Sequence, residues 1–141
     1  MIRFETDVRI DRPIEDVFAY VSNPDNFPYW NSAVDAVRES DPGSTYVMER
    51  HLPTGRAVNE LQIVTLERPR EFAIRTTSGP TPFSYVYRFS ADNGDTVVRL
   101  DAEVELEGVA SLLPQLARRA VKKGVDDNFT TLKAILEAPS P

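Results

Sequence analysis

Alternating apolar and polar residues open the chain and predict a half-buried β-strand. Ile2, Phe4, Val8 and Ile10 fall on one face, and charged residues fall on the other. A period of two is typical of a strand that buries one side and exposes the other. We therefore predict a first strand over residues 2–10.

A helical period follows this strand and is interrupted by prolines. The apolar residues of 14–21 recur at helical spacing, which predicts a short amphipathic helix. Asn23-Pro24 ends it, because the residue before a proline avoids the helical conformation. The segment 24–31 leaves room for one more short, irregular helix. This segment contains the aromatic residues Phe27, Tyr29 and Trp30.

Strand-like runs separated by turn residues occupy the middle of the chain. The turns include Asp41-Pro42-Gly43, Ser78-Gly79-Pro80 and Asp92-Asn93-Gly94-Asp95. Runs of this length with hairpin turns between them predict an antiparallel meander. The predicted strands cover residues 33–39, 44–51, 56–66, 70–77, 83–90 and 96–106.

The last part of the chain returns to a helical period, from Ser111 to Glu137. One apolar stripe runs along this segment, which predicts a single long amphipathic helix. Gly124 lies inside the stripe and should cost about 1 kcal/mol relative to alanine. It marks either a kink that makes room for a ligand or a close contact between helix and sheet.

The order of these elements predicts an α+β fold in one domain, residues 1–141. Helices must cover the apolar face of the sheet, and a long antiparallel sheet twists enough to curl around one helix. A single helix rarely fills the concave face of such a sheet. The remaining space holds either packed aromatic side chains or a mostly apolar cavity.

Composition and charge narrow the classes of partner. The chain of 141 residues has 41% hydrophobic residues and a net charge of −6, which argues against nucleic acid and against an anionic membrane surface. It has no cysteine and one histidine, too few preferred ligands for a zinc site, so we expect no metal and no cofactor. No apolar run reaches the roughly 20 residues of a membrane span. The N-terminus does not resemble a leader peptide. We expect a cytoplasmic protein without membrane insertion, either a monomer or a homodimer.

Four short motifs resemble the polyketide cyclase/dehydrase-like proteins of the START-related (SRPBCC, pollen-allergen-like) superfamily. They are P-I-E-D-V-F at 13–18, N-P-D-N-F-P-Y-W-N at 23–31, E-R-P-R-E-F at 67–72 and N-G-D-T at 93–96. The resemblance covers nearly the whole chain. It implies a helix-grip fold, in which a curved antiparallel sheet of six to seven strands wraps around the long C-terminal helix. Two short helices follow strand 1, and a cavity lies between sheet and helix.

This family includes cyclases, lipid carriers, and hormone and flavonoid binders, so the resemblance does not select one activity. Its cyclases use inward arginine and hydroxyl groups, which cannot be matched to positions in this sequence. With the strand faces, the resemblance predicts the residues that line the cavity. They are Trp30, Met48, Phe72, Ile74, Phe83, Tyr85, Tyr87, Phe89, Leu100, Leu113, Leu116 and Phe129.

Several of these side chains have two interpretations. Trp30 either closes one end of the cavity or only anchors an irregular segment to the core. The hydroxyl groups of Tyr85 and Tyr87 either meet a ligand oxygen or belong to an aromatic ladder packed on the long helix.

Acid-base chemistry has few candidates. They are His51, Tyr85, Tyr87 and Glu60. His51 ends a strand-like run, which favours a surface or rim position. Both faces of strand 56–66 are mixed, and we favour an outward Glu60.

Three functions remain open. The favoured one is binding of a small, largely apolar molecule, such as a lipid, an aromatic metabolite or a polyketide-like compound. The alternatives are a cyclase or dehydratase that uses the same cavity, and a protein-interaction module with a filled core.

Overall fold

Seven antiparallel strands form one curved sheet, in the order β1-β7-β6-β5-β4-β3-β2. The structure is a computed structural model that describes residues 1–139, without the side chains of Val109 and Ala110. Residues 140 and 141 of the predicted domain lie outside the described residues. The strands are β1 (Ile2–Ile10), β2 (Val34–Asp41), β3 (Thr45–Leu52), β4 (Gly55–Glu67), β5 (Glu71–Ser78), β6 (Phe83–Asp92) and β7 (Asp95–Val104).

The helices lie where the apolar periods predict them. After β1 come α1 (Ile14–Val21), a 3₁₀ turn (Pro24–Asn26) and α2 (Phe27–Trp30); after β7 come a 3₁₀ helix (Gly108–Leu112) and α3 (Pro114–Glu137). The predicted α+β helix-grip architecture is confirmed. The long helix starts three residues later than predicted. Pro114 occupies its first position, to which proline is well suited, and the 3₁₀ helix Gly108–Leu112 precedes it.

A packed core fills one end of the concave face of the sheet. Val17, Phe18 and Val21 of α1 are fully buried, and the ring of Phe18 meets that of Phe89 edge-on at 5.0 Å between centroids. From α3, the buried apolar side chains are those of Val125, Phe129, Leu132 and Leu136. Both α1 and the second half of α3 therefore cover the same end, and the other end is left less filled.

Polar contacts attach α3 to the edge strand β1. Thr6 Oγ1 donates a hydrogen bond to Asp126 Oδ1, and Lys122 Nζ lies 2.8 Å from Asp126 Oδ2. Arg118 Nε donates to the carbonyl oxygen of Arg3 at 2.9 Å. These contacts set the position of α3 relative to the concave face.

Replacing Asp126 with asparagine should destabilise the protein by about 1 kcal/mol at neutral pH, a value reduced because the side chain is partly exposed. Burial would raise the pKa of the Asp126 carboxyl, but hydrogen bonds from Lys122 and Thr6 outweigh it and lower the pKa. The pKa is thus below the unfolded value of about 3.9. The stabilisation is therefore present above the unfolded pKa and is lost as the pH falls through the folded pKa.

Urea denaturation of wild type and D126N at neutral and acidic pH tests this expectation. The difference in free energy of unfolding should shrink as the pH falls. The matched control is D127N, which removes the exposed pair with Lys123 and should have a smaller effect than D126N. A difference between D126N and wild type that does not change with pH would contradict the assignment.

Candidate functional site

A pocket of about 370 Å³ lies between the concave face of the sheet and the first half of α3. Its walls come from α2 and the loop after it, the end of β3, β5 to β7, and one face of α3. Most of the wall is apolar or aromatic, from Phe27, Trp30, Val34, Met48, Leu52, Ile74, Phe83, Val104, Val121 and Val125. The polar groups are fewer, namely those of Asn31, Ser32, Arg50, His51, Thr81, Tyr85, Tyr87 and Asn128.

Half of the predicted lining residues lie at the pocket wall, and the other half do not. Those at the pocket wall are Trp30, Met48, Ile74, Phe83, Tyr85 and Tyr87. Phe72, Phe89, Leu100 and Phe129 are instead buried in the packed core, because the short helices and the second half of α3 fill that end of the sheet. Their strand faces are as predicted, but they do not line the pocket.

Leu113 and Leu116 are also absent from the wall. Both side chains are exposed, because the start of α3 is not covered by the sheet. The apolar stripe of the long helix is thus continuous in sequence but only its later part meets the concave face.

Two tyrosines place hydroxyl groups at the pocket wall. Burial raises the pKa of Tyr85 to about 12, an effect that the positive charge of Arg50 opposes. Burial also raises the pKa of Tyr87 well above its usual value. Neither hydroxyl forms a hydrogen bond with any residue of the described range 1–139. Both tyrosines therefore stay protonated at neutral pH and can donate or accept hydrogen bonds, but they are poor bases.

The rings of these tyrosines form an aromatic ladder, one of the two arrangements that the strand pattern left open. Tyr85 lies between Phe83 and Tyr87, with centroid distances of 4.6 and 6.2 Å, and Tyr87 stacks on Phe72 at 5.9 Å. The two interpretations of the tyrosines therefore do not exclude each other. Packing fixes the rings, and the hydroxyl groups remain without a partner among the described residues.

Arg50 is a pocket residue that the sequence reasoning missed. Its Nε donates to Asn59 Oδ1 at 2.7 Å, and its Nη2 donates to the carbonyl oxygens of Pro80 and Thr81 at 2.9 and 2.8 Å. The guanidinium also lies 5.2 Å from the centroid of the Phe83 ring. Burial lowers the pKa of Arg50, yet arginine remains charged at neutral pH. Among the described residues, Nη1 has no hydrogen-bond partner, so a fixed cation presents a free donor.

A tight turn between β5 and β6 is built around this arginine. Asn59 is fully buried and its Nδ2 donates to the carbonyl oxygens of Ser78 and Pro80, at 3.1 and 2.9 Å. Gly79 has φ +100°, and a Cβ there would lie 2.3 Å from the carbonyl oxygen of Val58. Only glycine fits this close approach. The turn thereby holds the carbonyl groups that orient Arg50.

His51 and Glu60 point away from the pocket. His51 contributes to the rim, but it follows Arg50 on β3 and its ring belongs to the opposite face of the sheet. The Nδ1 atom lies 2.9 Å from Asp35 Oδ1. Glu60 accepts a hydrogen bond from Thr77 Oγ1 at 2.9 Å, while its neighbours Asn59 and Leu61 are buried. The favoured outward direction of Glu60 is therefore what the structure has.

Trp30 lies at the inner wall and is almost fully buried, packed against the rings of Phe27, Tyr87 and Phe129. Its indole Nε1 is buried and has no hydrogen-bond acceptor among the described residues. Buried donors are nearly always paired, so this group is an unusual feature of the wall. Tyr29, by contrast, is 70% exposed and takes no part in the pocket.

The loop after α2 is attached to α3 by amide groups. Asn128 Oδ1 accepts a hydrogen bond from the backbone N–H of Ser32, and Asn128 Nδ2 donates to Asn31 Oδ1, both at 3.1 Å. This side of the pocket is therefore fixed by side chains that the sequence reasoning did not select. The sequence contains a signal for Asn128, because this polar residue lies beside the apolar stripe of α3, where a buried amide needs partners.

Gly124 faces the pocket without touching anything. The helix α3 is continuous through it, and a Cβ at this position would have no heavy atom within 4 Å. A close contact between helix and sheet therefore does not explain the glycine. Its lack of a side chain leaves space in the pocket.

A curved sheet that holds one long helix, with a pocket between them, is the arrangement implied by the motifs of the sequence. A family model described as "Polyketide cyclase / dehydrase and lipid transport" matches residues 1–137. The chain belongs to this family. Family and fold together suggest ligand binding or polyketide cyclase-type function. No curated protein matches the sequence.

Solved structures with this fold share little sequence with the chain. A crystal structure of a Thermus thermophilus protein has a TM-score of 0.84 at 14% identity, covering 99% of this chain and 100% of that one. A START superfamily protein from Mycobacterium smegmatis has a TM-score of 0.77 at 12% identity, covering 96% and 97%. The di-domain ARO/CYC BexL from the BE-7585A biosynthetic pathway has a TM-score of 0.73 at 20% identity, covering 99% and 51%. At these identities the likeness establishes the fold alone.

Over residues 1–139, no helix has both the length and the hydrophobicity needed to cross a membrane.

Proposed function

We propose that the protein binds a small, largely apolar molecule that carries an acidic or oxygen-bearing group at one end. The observation that carries this proposal is the charged Arg50, oriented by Asn59 and by the β5–β6 turn at the wall of an otherwise mostly apolar pocket. Pockets that bind small molecules are mostly apolar with a few well-placed polar groups. A volume of about 370 Å³ is enough for a molecule of two or three fused rings or a short acyl chain.

The polar groups of the wall indicate the chemistry of the ligand. Arg50 Nη1 and the Tyr85 hydroxyl have no hydrogen-bond partner among the described residues, and a ligand carboxylate, enolate or carbonyl oxygen would supply an acceptor. Trp30 Nε1 is a further donor that a ligand oxygen could pair with. The rings of Phe83, Tyr85 and Tyr87 would contact the apolar body of the ligand.

Native mass spectrometry of the purified protein, beside a denatured control, tests whether a small molecule travels with it. A bound acidic lipid or aromatic compound would support the proposal and identify the chemical class. If the native mass equals that of the polypeptide alone and no apolar probe binds, the result counts against the proposal and favours a protein partner.

Replacing Arg50 with methionine should distinguish the cationic part of the proposed site, which would bind an anionic group, from the apolar part, which would bind the aromatic body. Anilinonaphthalene sulfonate and N-phenyl-1-naphthylamine share one aromatic body, and only the first carries an anion. We expect R50M to weaken the sulfonate about 10- to 100-fold, the range for a lost hydrogen bond to a charged group, and to leave the neutral dye little changed. Fluorescence titration measures both affinities.

The matched control is R75M. Arg75 lies on β5, is exposed and donates to Gln62 Oε1, so its removal changes the net charge equally without touching the pocket. Thermal melting of each variant ensures that binding is measured on folded protein. If R50M weakens both dyes to the same extent, Arg50 serves the fold rather than the ligand.

A cyclase-type reaction is the second candidate, and the position of Tyr85 beside Arg50 favours it. A phenol with a pKa of about 12 stays protonated and can donate a hydrogen bond to a ligand oxygen that Arg50 holds, which stabilises negative charge that develops on that oxygen. In such an enzyme, Tyr85→Phe should abolish turnover of a polyketide-like substrate while neutral dyes still bind. Turnover unchanged in both Tyr85→Phe and Tyr87→Phe would count against catalysis by these groups.

A further inference from the structure

Three leucines close to one another in the chain are exposed at the start of α3. Leu112 ends the 3₁₀ helix and is 76% exposed, Leu113 precedes α3 and is 54% exposed, and Leu116 is 60% exposed. Single exposed apolar residues are ordinary, but three within five positions form a patch. We call these three residues the leucine patch.

The leucine patch continues the wall of the pocket beyond its mouth. Residues four apart lie on one face of a helix, so Leu116, Ala120 and Gly124 form a row along α3. Ala120 and Gly124 line the pocket, and both are exposed, so the pocket opens on this side. A surface that covered the leucine patch would therefore also lie over the pocket mouth.

The charge beside the leucine patch is opposite in sign to that of the whole chain. Residues 108–125 contain Arg118, Arg119, Lys122 and Lys123 and no acidic residue, although the net charge of the chain is −6. Arg119 is exposed and forms no ion pair or side-chain hydrogen bond within the described residues. Arg119 and Lys123 follow Leu116 by three and seven positions, which places them next to the patch.

Of the paired basic groups, only Lys123 is held by a weak interaction. Lys123 is paired with Asp127 at 2.8 Å, and both side chains are mostly exposed. Exposed pairs of this kind contribute little to stability, so the ammonium group is available to another anion. Arg118 and Lys122 are more occupied, with Arg3 and Asp126 respectively.

We propose that the leucine patch, with Arg119 and Lys123, docks the pocket mouth onto an anionic lipid bilayer. Exposed leucines flanked by basic residues are the pattern of a peripheral segment that lies in the membrane interface. Each basic group near an anionic surface adds to the attraction, whereas charges more than a Debye length from that surface are largely screened by salt. The net charge of −6, which counts against an anionic membrane surface in the sequence analysis, therefore does not decide this local interaction. Three leucines are too few for a stable contact with another protein, which needs about 800 Å² per partner.

This docking goes beyond the proposed ligand site and does not depend on the identity of the ligand. An apolar molecule could pass between bilayer and pocket without crossing water. Vesicle binding is measured without any ligand, so its failure is distinguishable from a failure of the ligand proposal.

The experiment is co-sedimentation with vesicles of phosphatidylcholine, alone or with about 30% phosphatidylglycerol, a content that gives an anionic surface. The variants are L113S/L116S and R119E/K123E. The matched control is V58S/V64S on the outer face of β4, since Val58 and Val64 are 56% and 55% exposed, much like the two leucines. Circular dichroism and thermal melting check that each variant is folded.

We expect wild type and V58S/V64S to bind the anionic vesicles, to bind the neutral ones less and to be released by salt. Both L113S/L116S and R119E/K123E should bind on the order of tenfold less. The charge-reversal pair remains a test even if the leucine variant fails to fold.

The proposal is overturned if wild type does not sediment with anionic vesicles, or if L113S/L116S binds as well as wild type. It is also overturned if V58S/V64S loses as much binding as L113S/L116S. Light scattering that reveals a concentration-dependent dimer, abolished in L113S/L116S and without vesicle binding, would assign the patch to a second copy of the chain.

Discussion

Replacing Gly79 with alanine should destabilise the protein by about 3–4 kcal/mol, near the upper end for a single substitution. The new Cβ would lie 2.3 Å from the carbonyl oxygen of Val58 and 2.7 Å from Asn59 Nδ2, so backbone must move. The left-handed conformation at φ +100° adds about 1–2 kcal/mol for a residue with a Cβ. Urea denaturation of wild type and variant gives the difference in free energy of unfolding.

The control for this substitution is Gly94→Ala. Gly94 has φ +86° but a Cβ there would meet nothing within 4 Å, so G94A carries the conformational cost without the collision. We expect G94A to cost about 1–2 kcal/mol. If G79A and G94A lower the free energy of unfolding equally, the close approach to Val58 is relieved at no cost. That result would contradict a tight turn between β5 and β6.

The same substitution should disturb the pocket through Arg50. The carbonyl groups of Pro80 and Thr81, which accept from the guanidinium, belong to the turn that G79A displaces. In G79A at a temperature where it is folded, the anionic dye should therefore bind more weakly relative to the neutral dye. G94A should leave this ratio as in wild type.

Replacing Gly124 with leucine should weaken dye binding and raise stability at the same time. The side chain would enter the pocket, where nothing lies within 4 Å of the Cβ, and should weaken N-phenyl-1-naphthylamine on the order of tenfold or more. Leucine has a higher helix propensity than glycine, so the substitution should also stabilise α3 by somewhat less than about 1 kcal/mol. Fluorescence titration and thermal melting measure the two effects.

Two further variants make the result specific. Gly124→Ala should gain about 0.5–1 kcal/mol of stability with a smaller loss of binding, because it fills less of the space. Ala134→Leu places a leucine at an exposed position of α3 away from the pocket and should leave dye binding unchanged. If G124L binds the neutral dye as well as wild type does, the dye does not occupy the pocket beside Gly124.

Much of the fold could be predicted because the signals are local. The period of two along β1, β6 and β7 and the turn residues between strands place every strand to within about two residues of its bounds. The apolar period was less informative at α3, where a short 3₁₀ helix replaced the predicted first turn and Pro114 marks the first helical position. The face of Glu60 could not be decided from β4 alone, because Val58 and Val64 are exposed on the same face as Glu60.

The site was predictable only in part. Tyr85 and Tyr87 share an apolar face with their neighbours, so their inward position follows from alternation. Arg50 shares its face with Tyr46 and Met48, and applying the same alternation to β3 would have selected it. Asn59 gave no such signal, since both faces of its strand mix polar and apolar residues.

The sequence by itself determined which residues form strands and helices and which faces are apolar, because these depend on neighbours within a few positions. Only the tertiary structure decided that Phe72, Phe89 and Phe129 are packed while Trp30 and Phe83 border a pocket. Inward residues of one sheet look alike in sequence, and their surroundings depend on which part of the concave face α1 and α3 cover. The close approach of Gly79 to Val58 and the open space beside Gly124 likewise arise between distant segments. Gly79 is therefore required by a close contact and Gly124 leaves open space, and neither reason can be read from the residues next to it.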